Sequence, residues 1–268
     1  MFPPRAKNQM AKRLYNSVFT RWLLHRASAI VAASANEAQE LSTRADRARI
    51  VVRRNGIDVD AFASLPSGEY LRERWGIGSS ELIVLFVGRV SPIKNLEDLI
   101  LAFSRANIPN ARLVLVGPLP ERTYESSLRA LIQRCGLETR VIVAGPLYHE
   151  EQRAALNLAD FFVLPSSYES FGNAAAEAVA AGVPVLLTDT CGIAPIIHER
   201  AGLAVPLGIE SFATGLRTMS DPEKRRDLVA KTEEVKRELS WDEPITQTER
   251  LYEEIIRRPD SGEAGVCS

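Results

Sequence analysis

Two cations, Arg89 and Lys94, sit on one short stretch, Gly88-Arg89-Val90-Ser91-Pro92-Ile93-Lys94-Asn95, directly after the apolar run 82–87. A second stretch, Pro165-Ser166-Ser167-Tyr168-Glu169-Ser170-Phe171-Gly172-Asn173, follows the apolar run 161–164 and leads into a segment of small residues that carries Glu177. A helix opening at Ser170 would present unpaired amides and the positive end of its dipole to an anion, and Gly172 would let a ligand approach the backbone. Two cations and a helix N-terminus at one sheet edge suggest a diphosphate. Glu177 stands among alanines and a valine, Ala174-Ala175-Ala176-Glu177-Ala178-Val179-Ala180-Ala181, where a buried carboxylate needs a partner. Glu169 and Glu177 are eight residues apart. Along a helix that is about 12 Å, near the reach from a sugar through a diphosphate to a ribose. The plainer alternatives are a solvated surface pair for the cations and an exposed mid-helix glutamate.

These stretches need a scaffold that brings strand ends together. The runs 82–87, 111–116, 141–144, 161–164 and 184–187 are short and almost wholly apolar, as expected of strands covered on both faces of a parallel sheet. Helical patterns over 95–106, 121–134, 150–159 and 172–181 alternate with them, and further helices are expected over 211–219, 222–238 and 246–257. Strict alternation of this kind predicts an α/β, doubly wound parallel sheet. In such sheets ligands bind beyond the carboxyl ends of the strands, where both candidate stretches lie. Ahead of this block, 29–34 and 50–53 read as strands and 36–43 as a helix, with Asn55-Gly56 as a turn.

The 268 residues, 46% hydrophobic and 25% charged, have globular values. A formal net charge of -1 gives no general attraction to nucleic acid, so no nucleic-acid partner is expected. Cys135, Cys191 and Cys267 lie far apart and cannot all pair, which fits a reducing, cytoplasmic setting. Arg5, Lys7, Lys12, Arg13, Arg21 and Arg26 all precede the first acidic residue, Glu37. Between them Met10, Leu14, Val18, Trp22 and Leu23 recur at helical spacing. Such a helix could pack on protein or rest peripherally on the inner membrane face.

The string from Glu169 to Val185 resembles the E-x7-E signature of retaining family 4 glycosyltransferases, the glycosyl transferases group 1. Asn55-Gly56-Ile57-Asp58 with Phe62 resembles that family's N-G-[IV]-D turn, and Phe86-Val87-Gly88-Arg89 with Lys94 its G-R-x4-K element. Leu115-Val116-Gly117 resembles its second-strand ending, and Trp241 and Tyr252 its C-terminal aromatic pattern. The resemblance spans about residues 28 to 257. It implies a GT-B fold, of which this chain carries the Rossmann-like C-terminal half and a remnant of the N-terminal, acceptor-side half. The implied activity moves a sugar, with retention, from a nucleotide-diphosphate donor to a glycan or lipid-linked acceptor. A UDP- or GDP-sugar is the expected donor substrate, and no cofactor or metal is expected.

By the same resemblance, Gly88, Arg89, Lys94, Glu169, Ser170, Phe171, Gly172, Asn173 and Glu177 bind the donor. Arg89 and Lys94 hold and neutralise the diphosphate, Glu177 takes the ribose and Glu169 the transferred sugar, which puts Arg89, Lys94 and Glu169 in the catalytic set. Asn95 stands where glycine is commoner, and Cys191-Gly192-Ile193-Ala194-Pro195 stands where many members carry G-G-x-P-E. The expected division is 1–54 as the acceptor-side remnant, 55–245 as the nucleotide-sugar domain, 246–258 as a crossing helix and 259–268 as a disordered tail. If most of the acceptor half is absent, the chain could be an inactive donor-binding fragment or one subunit of a split transferase, with an acceptor-domain chain or a membrane meeting the basic helix. Asp58-Val59-Asp60 matches a metal-binding D-x-D, but its place after the turn suits a structural role. Gly76-Ile77-Gly78 precedes a strand and so is no dinucleotide fingerprint.

Overall fold

A computed structural model describes residues 19–46, 49–119 and 122–257. The chain divides into two compact units, one of Met1–Gly56 with Trp241–Ser268 and one of Ile57–Ser240. The expected boundary at 54/55 lies close to the first division, and the segment 246–258 groups with the chain's beginning. Residues 259–268, expected to be a disordered tail, and the basic positions before Phe19 lie outside the described residues.

The larger unit is a doubly wound α/β layer built on one parallel sheet. Its strands are β3 (Leu82–Val87), β4 (Ala111–Val116), β5 (Val141–Gly145), β6 (Phe161–Leu164), β7 (Val185–Thr188) and β8 (Gly202–Val205), in the spatial order β5-β4-β3-β6-β7-β8. β3, β4, β6 and β7 are almost wholly buried, which is why their sequences do not alternate. Helices cover the faces. They are α3 (Glu69–Arg74), α4 (Leu96–Ala106), α5 (Arg122–Arg134), α6 (Glu150–Leu158), α7 (Asn173–Ala180), a short α8 (Ala194–Ile197), α9 (Ile209–Ser220) and α10 (Pro222–Glu238). α4 shows the rule: Leu96, Leu99, Ile100 and Phe103 are buried at helical spacing, with Glu97 and Asp98 in the first turn, where the dipole favours them. α10 starts at Pro222, and the side chain of Asp221 accepts from the Glu223 amide at 2.9 Å.

This order puts the topological switch between β3 and β6. From β3 the chain winds outward through β4 and β5, then returns to the other flank of β3 with β6. The βα loops of β3 and β6 therefore diverge around a crevice, the usual ligand position in open α/β sheets.

The smaller unit holds α1 (Arg21–Arg26), β1 (Ile30–Ala32), α2 (Ala35–Ser42), β2 (Ile50–Val52) and α11 (Asp242–Arg257). β1 and β2 pair in parallel over three residues each. α2 has a reciprocal cap: Ser34 Oγ accepts from the Glu37 amide at 3.2 Å and Glu37 Oε2 accepts from the Ala33 amide at 2.6 Å. Trp22 and Leu23, the described part of the expected apolar stripe, are more than half exposed, and the Arg26 guanidinium lies 5.3 Å from the Trp22 ring centre. No helix among the described residues is long and apolar enough to cross a membrane.

Candidate active site

The loop after β3 is held where it leaves the strand. The Gly88 amide donates to the Val116 carbonyl at 3.0 Å and the Val90 amide to Pro118 at 3.0 Å, so the endings of β3 and β4 stay together. Their approach is close enough to exclude a side chain: a Cβ on Gly117 would stand 1.8 Å from the Gly88 oxygen. A 3-10 turn, Pro92–Lys94, then carries Lys94, and Asn95 follows it in the left-handed region at φ 54°, ψ 41°. Asparagine is among the few residues other than glycine that adopt this conformation readily, so the departure from glycine leaves the backbone course intact. The Asn95 amide side chain also donates to Asp98 Oδ2 at 3.1 Å.

The loop after β6 is tied to the loop after β3. The amide and the hydroxyl of Ser167 both donate to the Ile93 carbonyl, at 3.0 and 3.1 Å. Beyond Ser167 the chain pairs with the segment after β7: Glu169 bridges Cys191, the Gly192 amide donates to the Glu169 carbonyl at 2.9 Å and the Ile193 amide to Phe171 at 2.8 Å. Below them the Thr188 and Thr190 hydroxyls each donate to the Ser166 carbonyl at 2.6 Å. Burial pushes the Cys191 thiol up to about 11, which keeps it an unreactive packing group.

The pairing of 169–171 with 191–193 corrects two expectations. The helix does not open at Ser170; α7 begins at Asn173, with Gly172 as its cap at φ 114°, ψ 53°. A Cβ on Gly172 would in addition meet Ile193 Cγ2 at 3.1 Å. Glu169 is therefore extended, outside the helix, and the rise along a helix does not measure its separation from Glu177.

Between the two loops lies an open cleft of about 450 Å³ whose walls include Gly88, Arg89, Lys94, Glu169, Ser170, Gly172 and Asn173. Seven of the nine expected donor residues thus meet in one place. Ser91, Ile93, Tyr168 and Ala174 line it as well and were not singled out from the sequence, although the last three each adjoin a residue that was. Arg89 is exposed and has no hydrogen-bond or ion-pair partner among the described residues. The Lys94 ammonium instead pairs with the Glu169 carboxylate, both side chains about four-fifths buried.

Phe171 and Glu177 do not line the open cleft. The Phe171 side chain is 2% exposed and its carbonyl is occupied by Ile193, so it anchors the wall from behind. Glu177 lies one turn below Asn173 on the same face of α7 and is half-buried. Its Oε2 accepts from Gln152 Nε2 on α6 at 2.8 Å. Burial raises its carboxyl above the ordinary range, and the Gln152 hydrogen bond partly offsets that shift. Gln152 was missed by the sequence reading; the available signal was a polar residue one turn before buried Leu156 on the inward stripe of α6. Asp58 Oδ1 accepts from the Ala61 amide at 3.3 Å and so caps a turn, and no cluster of three or more His, Cys, Asp or Glu suited to a metal ion occurs among the described residues.

Residues 69–235 match the family model described as glycosyl transferases group 1. The chain belongs to the glycosyl transferases group 1 family. Among its relatives is the D-inositol 3-phosphate glycosyltransferase of Xylanimonas cellulosilytica, 32% identical over 246 residues that make up 87% of this chain and 58% of that one. The sucrose-phosphate synthase of Thermosynechococcus elongatus superposes with a TM-score of 0.79 at 27% identity, over 96% of this chain and 64% of that one. The HepE protein of Anabaena, solved in complex with UDP and glucose, superposes with a TM-score of 0.78 at 22% identity, over 96% and 69% of the two chains, and shares the fold. The chain thus spans somewhat over half the length of the first of these relatives. As a group 1 member it places the matched region over nearly the whole of the larger unit, including every residue of the cleft named above.

Proposed function

We propose that the cleft between the β3 and β6 loops binds a nucleotide-diphosphate sugar and that the protein is a glycosyltransferase moving that sugar, with retention, to a glycan or lipid-linked acceptor. The observation that carries the reading is the convergence of Arg89, Lys94 and the N-terminus of α7 on one cleft at the topological switch point. A diphosphate seated there meets two cations and helix-end amides. It can leave the anomeric carbon with its bonding electrons without a metal, because the charge it gains falls on groups already oriented toward it. Glu169, on the wall with Lys94, takes the transferred sugar; Glu177, one turn further in, takes the ribose. The UDP and glucose in the Anabaena structure support a nucleotide-linked donor, for which a UDP- or GDP-sugar is the first choice.

Every candidate donor residue belongs to the larger unit. That favours a second reading, in which donor binding is complete in this unit while transfer needs an acceptor surface supplied beside it. A lipid-linked acceptor would bring the protein to a membrane surface, which the exposed Trp22 and Leu23 beside Arg26 support. Titrating UDP, GDP and ADP into the protein by calorimetry tests the donor reading. Saturable binding of one of them, weakened in Arg89→Ala and in Lys94→Ala, is expected; no heat from any of the three in a folded sample overturns it. Turnover assays of the same sample with lipid-linked and soluble acceptors then separate the two readings.

A further inference from the structure

Burial opposes the charge of Glu177, and its side-chain hydrogen bond comes from another helix. Gln152 stands in the first turn of α6, directly after the loop that leaves β5, and reaches across to α7. The bond engages a single lone pair on Oε2. A carboxylate has about four, so Oε1 and the second position on Oε2 stay open to donors. Asn173 and Ala174 line the cleft one turn above. The amide thus fixes the carboxylate's rotamer without exhausting it.

We infer that Gln152 is a positioning residue: by holding Oε2 of Glu177 it aims the remaining acceptor sites at a vicinal diol, and so sets the preference of this site for a ribonucleoside over a 2′-deoxyribonucleoside diphosphate. The inference rests on the donor reading above. Its chemistry is specific to an amide. Glutamine donates without adding charge beside the carboxylate, whereas leucine or methionine at the same place fills the space and gives nothing. A glutamate there would set two carboxylates against each other, and one would have to take up a proton. A tie serving only to hold α6 to α7 would affect stability alone. A positioning tie also changes which sugar is accepted.

The test compares the full chain with Gln152→Leu and Gln152→Met, using whichever of UDP, GDP and ADP the unaltered protein binds most tightly, together with its 2′-deoxy counterpart. Affinities come from calorimetry and folding from melting curves. A hydrogen bond to a charged group corresponds to roughly ten- to a hundredfold in affinity, so the unaltered protein should prefer the ribonucleotide by about that factor. Either variant should bring the preference below about threefold while keeping phosphate-driven binding. In a Glu177→Ala background, Gln152→Leu should change the ratio no further, since Gln152 acts through Glu177. An undiminished preference in a folded Gln152 variant, or an equal loss in the Glu177→Ala background, overturns the inference and leaves the donor site standing. If the unaltered protein binds none of the nucleotides, the donor reading falls first and this inference falls with it.

Discussion

The two units use the same local grammar to opposite effect. In the larger, six parallel strands stack into a sheet whose central members are almost fully buried, and two loops at its switch point are cross-tied through Ser167 and Ile93. In the smaller, two parallel strands of three residues pair only with each other among the described residues, and Val31 and Val52 are 43% and 49% exposed. Parallel strands gain stability chiefly from cover on both faces, so a pair of them is weak by itself. The comparison teaches that a rigid site needs a sheet deep enough to bury the strands that carry its loops. Every cleft residue lies where that depth exists.

Hydrogen exchange probes this contrast most strongly. Amides of β3, β4 and β6 should exchange about a thousandfold or more slowly than those of β1 and β2, because central strands open only with global unfolding. Equal protection in both sheets would break the comparison. Next in size is Gly117→Ala, which forces a methyl group onto the Gly88 carbonyl and should cost about 3 kcal/mol or more in denaturant unfolding of the larger unit. Near-normal stability would mean that the β3 and β4 endings part easily.

For binding, Arg89→Ala should weaken the best nucleoside diphosphate by about ten- to a hundredfold. Arg54→Ala, which removes an ion pair with Glu243 inside the smaller unit, should change it by less than about twofold. Comparable losses from both would assign part of the site to the smaller unit. The smallest binding effect expected is a gain. Glu169→Ala frees Lys94 and removes a negative charge from the cleft, so a nucleoside diphosphate lacking the sugar should bind about threefold more tightly. Calorimetry that shows a loss instead would mean that the ion pair shapes the wall rather than competing with the ligand.

The carboxyl of Glu177 adds a pH test within the larger unit. Its folded-state value is raised by burial, so the folded protein binds more protons than the unfolded chain between the ordinary carboxylate value and the raised one. Stability therefore falls as pH rises through that window, and above it the full penalty of the buried charge is present. Glu177→Gln should raise the melting temperature at pH 7, and the gain should vanish as the pH falls below the ordinary carboxylate range. The same change should weaken binding of the ribonucleotide. A melting temperature that does not rise at pH 7 would show that Glu177 is adequately solvated or paired.

The strands of the larger unit were legible where burial on both faces leaves a continuous apolar run, as in 82–87 and 161–164. β8 was not, since Gly202–Val205 is short, begins with glycine and is only partly buried. The cations could be read because the chain places them directly after a strand. The start of α7 was misplaced by three residues because what holds Glu169 to Phe171 extended is pairing with Cys191 to Ile193, a contact across more than 20 residues that no local pattern records. Gln152 was hidden for a similar reason. Its partner is on another helix, and a polar residue on an inward stripe does not say which carboxylate it meets.

Asn95 bears on how the cleft spends its time while empty. A glycine at that position would let the backbone beside Lys94 visit either hand about equally. Asparagine reaches the left-handed region but has fewer alternatives, and its side chain is held by Asp98. The turn that presents Lys94 is therefore stiffened from its C-terminal side, as the ties from Ser167 to Ile93 stiffen it from across the cleft. An arriving anion then has little disorder to freeze. Of the work needed to receive it, what remains is the exchange of one ionic partner for another at the end of an already placed side chain.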